Sequence, residues 1–364
     1  MESIGVLTFL HNDNFGSALQ AFALQEILND MGYDCTHIDY QPDTREKVMN
    51  LIKNRNSPKL LIDGLRKRSV KAGQENARKK SAGFTDFYKR RMRLTECCRN
   101  TEQLKNATGK FDIVMCGSDQ IWSPVWLNRA YYLDFVPDGK KKIAYAASLG
   151  VAECGSRHKA RRIASLVKRF DAVSVREEEG ARVLHDIAGI SPDVMPDPVC
   201  LLKRSAWEAI AEIPAVEEPY ILCYFIGNSD LYRSRVDALA AETGLSVRVI
   251  PVTVQDYYSG RELLDALTPE QFLGYIAKAD MICTDSFHGT ALAMIFGKPC
   301  EVIRRYREDD PESKNSRIDQ LARRLGMESG KREQPWDVID RNLERARIEG
   351  REWLKSALEA DKGY

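Results

Sequence analysis

The run Cys283-Thr284-Asp285-Ser286-Phe287-His288-Gly289-Thr290 joins an apolar strand-like stretch, DMIC, to a helix-forming one, ALAMIFG. Gly289 and Thr290 fall in the expected first helical turn, where spare backbone N–H groups and the helix dipole favour an anion. His288 stands at the edge of that turn, where an imidazole donates to an anion or takes a proton from a hydroxyl. The competing reading is that Asp285 and Ser286 cap the helix and His288 is solvated. A second run, Ser174-Val175-Arg176-Glu177, ends an apolar strand at Arg176. In open α/β sheets the carboxyl ends of the strands face the ligand crevice, and a guanidinium binds carboxylate or phosphate in bidentate fashion. An ordinary salt bridge to Glu177, Glu178 or Glu179 is the alternative.

Two further runs sit at expected strand ends. In Gly117-Ser118-Asp119-Gln120-Ile121-Trp122, Gly117 permits a tight turn, Asp119 can orient a sugar hydroxyl or act as a base, and Trp122 can stack on a sugar ring. A helix cap plus a core tryptophan fits the same residues. The loop Asn12-Asp13-Asn14-Phe15-Gly16-Ser17 lies where a nucleotide loop lies in a Rossmann-like fold, but it has no GxGxxG pattern.

These runs need a scaffold, and the pattern around them supplies one. Residues 3–10 read as a buried strand, and Leu24, Ile27, Leu28 and Met31 then recur at helical spacing, with Gly32 at the C-terminal cap position. YDCTHIDY follows as a second strand. Further strands are expected at 111–118, 143–150 and 170–177, with a helix from Glu178. After a linker at 211–220 a new set begins: YILCYFIG, a helix, LSVRVIPV, the helix TPEQFLGYIAKA, the strand DMICTDS and a helix from Gly289. Strands alternating with helices predict parallel α/β sheets. A chain of 364 residues exceeds one ordinary core. The expected division is a first domain at 1–210, a second at 211–335, and a charged amphipathic helix at 336–364.

Residues 45–93 differ from the rest. They hold 16 Lys or Arg against the four acids Glu46, Asp63, Glu75 and Asp86, inside a chain of net charge +1. They read as helices inserted in the first domain, with Phe84, Phe87 and Tyr88 pinning the end to the core. Such an insert is either a solvated helical face or a surface that docks on an anionic inner membrane or a lipid-linked pyrophosphate. The overall charge gives no argument for nucleic acid. No apolar run reaches the roughly 20 residues of a membrane span, and the start lacks the features of a signal peptide. Nine cysteines without a CxxC spacing or a pairing framework indicate reduced thiols and a cytoplasmic setting. The five histidines lie far from any paired ligand set, so no metal site is expected.

Taken together, the motifs resemble those of the polysaccharide pyruvyl transferase family. The matching pieces are DNFGSALQAFALQ at 13–25, CGSDQIWSP at 116–124, AYAASLG at 144–150, SVREEEG at 174–180, DPVCLL at 197–202 and TDSFHGTALAMIFGKP at 284–299. They occur in the family's order over nearly the whole chain, and TDSFHG is the most specific. The resemblance implies two Rossmann-like domains facing each other across a cleft, as in two-lobed GT-B-like glycosyltransferases. It implies phosphoenolpyruvate as donor, with no cofactor, and a lipid- or nucleotide-linked saccharide as acceptor of a pyruvate ketal. His288 and Arg176 then carry over as catalytic or donor-binding residues that share the cleft. Asp119 joins them as a candidate base. Asn14, Gly16, Ser118, Trp122, Asp285, Ser286, Gly289 and Thr290 become candidate substrate-binding positions. A later basic residue should also hold the donor, with Arg317, Arg304 and Arg305 as candidates.

The residue types suit that chemistry. Phosphoenolpyruvate gains a proton at C3, cationic character develops at C2, one sugar hydroxyl attacks, phosphate leaves and the neighbouring hydroxyl closes the ketal. The site needs cations for phosphate and carboxylate, the task of Arg176, and an acid–base group, the task of His288. Two rival readings stand beside this one. One is a nucleotide-sugar glycosyltransferase or epimerase of related architecture, and the other is a non-catalytic saccharide-assembly protein that kept the fold.

Overall fold

The computed structural model describes residues 1–54, 75–227, 230–253, 256–257, 259–304, 316–328 and 333–360. It has two compact units, Met1–Leu201 with Arg347–Tyr364, and Leu202–Ala346.

The first unit is built on six strands, β1 (Ser3–Leu7), β2 (Asp34–His37), β3 (Ile113–Cys116), β4 (Lys141–Ala147), β5 (Ala172–Val175) and β6 (Asp193–Val194). All pairs are parallel, in the order β2-β1-β3-β4-β5-β6. Every residue of β3 and β4 is buried, as expected of a parallel sheet covered on both faces. Its described helices are α1 (Phe15–Asp30), α2 (Thr44–Lys53), α3 (Glu75–Arg91), α4 (Thr101–Thr108), α5 (Arg157–Val167) and α6 (Glu178–Ala188). Helix α1 is apolar on nearly all sides and is buried from Phe15 to Gln25. Gly32, just past its end, has φ +91°, the left-handed conformation that glycine adopts without strain.

Within the basic insert, α2 and α3 are helices as expected, and residues 55–74 lie outside the described residues. Phe84 and Phe87 of α3 are buried against Phe15 and Phe22 of α1, with ring centroids 5.1 and 5.9 Å apart, and Tyr88 is buried beside them. That apolar face pins the insert and leaves its charged face outward. Lys79 and Arg90 pair with Glu75 and Asp86 one turn back, both at the surface, where such pairs add little stability.

The second unit holds a five-stranded parallel sheet in the order β11-β10-β7-β8-β9. Its strands are β7 (Tyr220–Tyr224), β8 (Ser246–Ile250), β9 (Glu262–Leu263), β10 (Met281–Thr284) and β11 (Cys300–Val302). Its helices are α7 (Arg204–Glu208), α8 (Asp230–Thr243), α9 (Pro269–Lys278), α10 (Phe287–Ile295), α11 (Ser316–Leu325) and the start of α12 (Trp336–Glu359). Helix α9 begins with a full capping box, in which Thr268 and Gln271 satisfy each other's backbone N–H groups.

The boundaries differ from the expected ones. The second unit begins at Leu202, because α7 packs on α9, Trp207 is fully buried, and the Glu212 N–H donates to the Glu270 carbonyl at 3.0 Å. The C-terminal helix is not a separate segment, since its last part belongs to the first unit. There the Lys141 ammonium donates to the carbonyls of Leu358 and Ala360 at 2.5 and 2.7 Å, and the Trp353 indole N–H donates to Asp193 at 2.8 Å. Gly350 allows the approach: a Cβ there would sit 2.5 Å from Leu201. Among the described residues no helix is long and apolar enough to cross a membrane.

Candidate functional site

Each sheet has a point where the strand order reverses. In the first unit the chain runs from β1 to β2 on one side and then crosses to β3 on the other. In the second it runs from β7 through β8 and β9, then crosses to β10. Loops leaving the carboxyl ends of the strands part at such points and form the binding crevice of α/β sheets. The four runs of chemical interest map onto this edge. Asn12–Ser17 follows β1, Gly117–Trp122 follows β3, Arg176 follows β5, and Asp285–Thr290 follows β10.

In the first unit the two switch-point loops are stitched together. The Asn14 side chain accepts the Ser17 N–H at 3.1 Å and caps α1, while its NH2 group makes no hydrogen bond with any described residue. Gly16 is buried in the first turn. The Asn12 amide donates to the Ser17 hydroxyl at 3.0 Å, which donates to Asp119 at 2.5 Å. Gln20 joins the same network: its amide donates to Thr8, and its carbonyl accepts the Ser118 N–H at 2.9 Å. Gly117 has φ +117°, and a Cβ there would lie 2.0 Å from the Tyr145 carbonyl oxygen. Only glycine fits. His11, Asp13 and Asp119 all have positive φ, a concentration of strained residues that is characteristic of binding and catalytic loops.

Ser118 is fully buried, and its hydroxyl donates to the Ala146 carbonyl at 2.7 Å. It is a strut of the loop, so the expectation that it touches substrate is corrected. Trp122 requires the same correction. Its side chain is fully buried, it stacks on Tyr132 at 5.0 Å, and its indole N–H donates to the Tyr131 carbonyl. It is a core tryptophan and offers no face to a sugar. Asp119, by contrast, is only half-buried.

Arg176 does end its strand, but its side chain is 3% exposed and its guanidinium donates to Asp197 at 2.7 Å, with Glu177 at 3.9 Å. Burial opposes the charge, yet Asp197, Asp119 and Glu177 outweigh it and raise the guanidinium pKa. The salt-bridge alternative holds with a different chief partner, Asp197 of DPVCLL, which sits 21 residues away. Glu177 in turn accepts the Ser148 hydroxyl and the N–H groups of Leu149 and Gly150 at 2.8–2.9 Å. The SLG and REE motifs are thus two halves of one hydrogen-bonded structure.

In the second unit Asp285 is buried and accepts the N–H groups of Ile226 and Gly227 at 2.6 and 2.8 Å and the Tyr232 hydroxyl at 2.8 Å. It locks the loop after β7 to the loop after β10, so its oxygens are engaged inside the protein. Ser286 caps α10 by accepting the Gly289 N–H at 3.2 Å, and the Thr290 N–H donates to the Ser286 carbonyl at 2.9 Å. The expectation that these two N–H groups face a ligand is therefore corrected, because the Ser286 cap consumes them. The helix starts at Phe287 rather than Gly289. A Cβ at position 289 would lie 2.8 Å from the Thr284 hydroxyl, which itself donates to the Tyr224 carbonyl at 2.5 Å. His288 lies in the first turn, 8% exposed, its ring edge-on to Phe287. Arg317 is half-buried in α11, and Arg304 is exposed and paired with Asp319 at 3.2 Å. Arg305 lies outside the described residues.

One pair escaped the sequence reading. His11 Nε2 lies 2.8 Å from Asp39, at the carboxyl ends of the neighbouring strands β1 and β2. Its signal in the sequence was faint: a histidine in a polar βα loop and an acid two residues after a strand.

The family model of polysaccharide pyruvyl transferases matches residues 14–305. No curated protein matches the chain in sequence. Among solved structures, S. aureus MnaA with UDP is similar at 14% identity, with 100% of each chain covered and a TM-score of 0.50. A Listeria monocytogenes protein assigned as a UDP-N-acetylglucosamine 2-epimerase is similar at 11% identity over 99% of this chain and 98% of that one, with a TM-score of 0.51. At such identities the likeness concerns the fold, which is the two-domain α/β, GT-B-like class.

Proposed function

The chain belongs to the polysaccharide pyruvyl transferase family, and from that premise we propose that it moves the pyruvyl group of phosphoenolpyruvate onto two hydroxyls of a lipid- or nucleotide-linked saccharide. The donor is a substrate, and the reaction calls for no further cofactor. One observation carries the reading: three of the motifs, at 13–25, 116–124 and 284–299, fall on switch-point loops of the two sheets, where an α/β enzyme does its chemistry.

In this proposal His288 is the acid–base group that handles the proton at C3. Asp119, half-buried and tied to Ser17, orients an acceptor hydroxyl, and the Asn14 amide donates to the same saccharide. Arg176 acts through Asp197 and the loops it braces, as a positioning residue. The positive charge that meets phosphate and carboxylate comes from Arg317 and Arg304.

The basic insert has a place in the same reading. Helix α2 has no buried residue, and it exposes Val48, Met49 and Ile52 beside Arg45, Lys47 and Lys53. Exposed apolar side chains among cations suit an anionic membrane surface on which a lipid-linked acceptor resides.

Incubating the full chain with phosphoenolpyruvate and an extract of lipid- and nucleotide-linked sugars tests the reaction. The expected result is phosphate release matched by a product heavier by one pyruvyl group. Release of a nucleotide from a sugar donor would instead make it a glycosyltransferase or epimerase. No turnover of any donor would leave a saccharide-assembly protein.

A further inference from the structure

The ketal reaction moves two protons. One hydroxyl proton has its counterpart at C3, where the methylene becomes a methyl, and the other leaves with the phosphate. One acid–base group per transfer is the simplest arrangement, and the proposed function has assigned only His288. The first unit holds a second histidine with suitable chemistry, one paired with a carboxylate.

His11 follows β1 and Asp39 follows β2, so both sit on the carboxyl edge of the sheet, beside the switch point. Nε2 of His11 lies 2.8 Å from Asp39 Oδ1, and the Gln41 amide donates to the same carboxylate. The ring rests edge-on against Tyr88 of α3 at 5.2 Å. With Nε2 protonated toward Asp39, Nδ1 is the basic nitrogen, and it makes no hydrogen bond with any described residue. The side chain of His11 is 23% exposed and that of Asp39 11%, so the carboxylate is sheltered while the ring keeps an open edge. Asn12, the next residue, connects through Ser17 to Asp119. The loop that carries His11 is thereby fixed to the loop that carries the hydroxyl-orienting acid.

We infer that His11 is a general base of the transfer, taking a proton from the attacking saccharide hydroxyl at Nδ1 while Asp39 holds the ring and stabilises the imidazolium. This rests on the proposed function only in requiring that a saccharide hydroxyl attack a donor. As the O–H bond breaks, the proton passes to Nδ1 and the oxygen bonds to C2, while the C2=C3 π bond opens and C3 takes the proton from His288. As the C2–O bond to phosphate breaks, the Nδ1 proton leaves on the phosphate, the second hydroxyl bonds to C2, and its proton replaces the one His288 gave, so both groups are restored. Orientation of an imidazole by a buried carboxylate is an arrangement general bases share.

Asp39 at the end of β2 and Tyr88 on α3 face the ring, Arg99 and Cys97 interact electrostatically with Asp39, and Asp13 on the same loop interacts with Tyr88. Burial raises the Asp39 carboxyl, but its hydrogen bonds to His11 and Gln41 outweigh this and hold its pKa below the ordinary value. Asp39 therefore stays ionised wherever the base works.

His11 has φ +58°, which glycine and asparagine tolerate, so His11→Gly and His11→Asn leave the loop unstrained. The test measures turnover of the full chain with whichever donor the wild type uses, across pH, for both variants and for Asp39→Asn. Both His11 variants should lose about 10²–10⁴-fold in kcat with unchanged circular dichroism. Added imidazole should restore part of the His11→Gly activity, and the acidic limb of the pH profile should vanish in His11→Asn. Asp39→Asn should lose less and retain a shifted limb. Turnover within threefold of wild type in His11→Asn, or a folded His11→Gly that imidazole does not rescue, would overturn the assignment. Transfer of a sugar from a nucleotide sugar to a saccharide by the wild type would overturn the phosphoenolpyruvate reading and leave the His11 test intact, because that transfer also needs an activated hydroxyl; epimerisation alone would overturn both.

Discussion

The two switch points do opposite things with an acid in the same place. Asp119 and Asp285 each follow the strand just across the reversal, β3 in one unit and β10 in the other. Asp285 is buried and takes three donors from the facing loop and from α8. Asp119 is half-buried and takes one hydroxyl, that of Ser17, from the facing loop, along with the N–H of its own neighbour Gln120. One acid is a lock and the other belongs to a polar rim. Only the second kind keeps oxygen capacity for a ligand, so burial and saturation, more than residue type or strand position, separate a working carboxylate from a structural one.

The largest effect is expected at His288, three residues after the locked Asp285. His288→Asn should lower turnover by about 10²–10⁴-fold, with a smaller drop in the urea unfolding midpoint than Asp285→Ala shows. Asp285→Ala should do the reverse in stability, leaving two amides and a hydroxyl without their buried acceptor at a cost of about 3 kcal/mol or more. Equal midpoints for the two variants would erase the distinction between lock and working residue.

The buried Arg176 gives the next test. Asp197→Ala should destabilise the protein by about 3–5 kcal/mol, because the guanidinium loses its nearest carboxylate. Adding Arg176→Met should recover part of that loss. If the double variant is less stable than Asp197→Ala, Arg176 is not held chiefly by Asp197 and its positioning role fails.

How far these roles were legible depended on where the partner lay. The strand and helix order was readable because parallel strands such as IVMC are continuous apolar runs, and because Gly32 marks a helix end through its backbone alone. The capping alternative for Ser286 was local and readable too. Arg176 was not, since Asp197 lies 21 residues on and three nearer glutamates offered a simpler partner. Trp122 looked like a sugar platform until Tyr131 and Tyr132, nine and ten residues later, closed over it. His11 and Asp39 meet only because β1 and β2 are neighbours in the sheet.

A smaller effect separates the units by their outer surfaces. If α2 and α3 dock on anionic lipid, the chain should sediment with vesicles containing phosphatidylserine at low salt and release as salt rises. Neutralising Arg45, Lys47, Arg78 and Lys79 together should weaken this several-fold. Absence of binding at low salt would return the insert to a solvated face.

The smallest effect is acid sensitivity. His37, in β2, is fully buried with Nε2 3.0 Å from the Ala21 carbonyl, and burial lowers its pKa to about 4. The folded state thus resists a proton that the unfolded chain accepts near the ordinary histidine value. Stability is complete above that value and falls as pH drops toward the folded one, by up to about 1.4 kcal/mol per unit. A His37→Gln variant should show a flatter loss over the same range. Four of the five histidines belong to the first unit. An equally steep loss in the variant would show that another group governs the acid limb.

The most direct test of the function is one turnover experiment in heavy water with phosphoenolpyruvate and a lipid-linked saccharide, read by mass spectrometry. The expected product is heavier by one pyruvyl group, its new methyl carries one solvent deuterium, and one phosphate is released per product. A product heavier by a sugar unit, or one formed equally well without phosphoenolpyruvate, would contradict it.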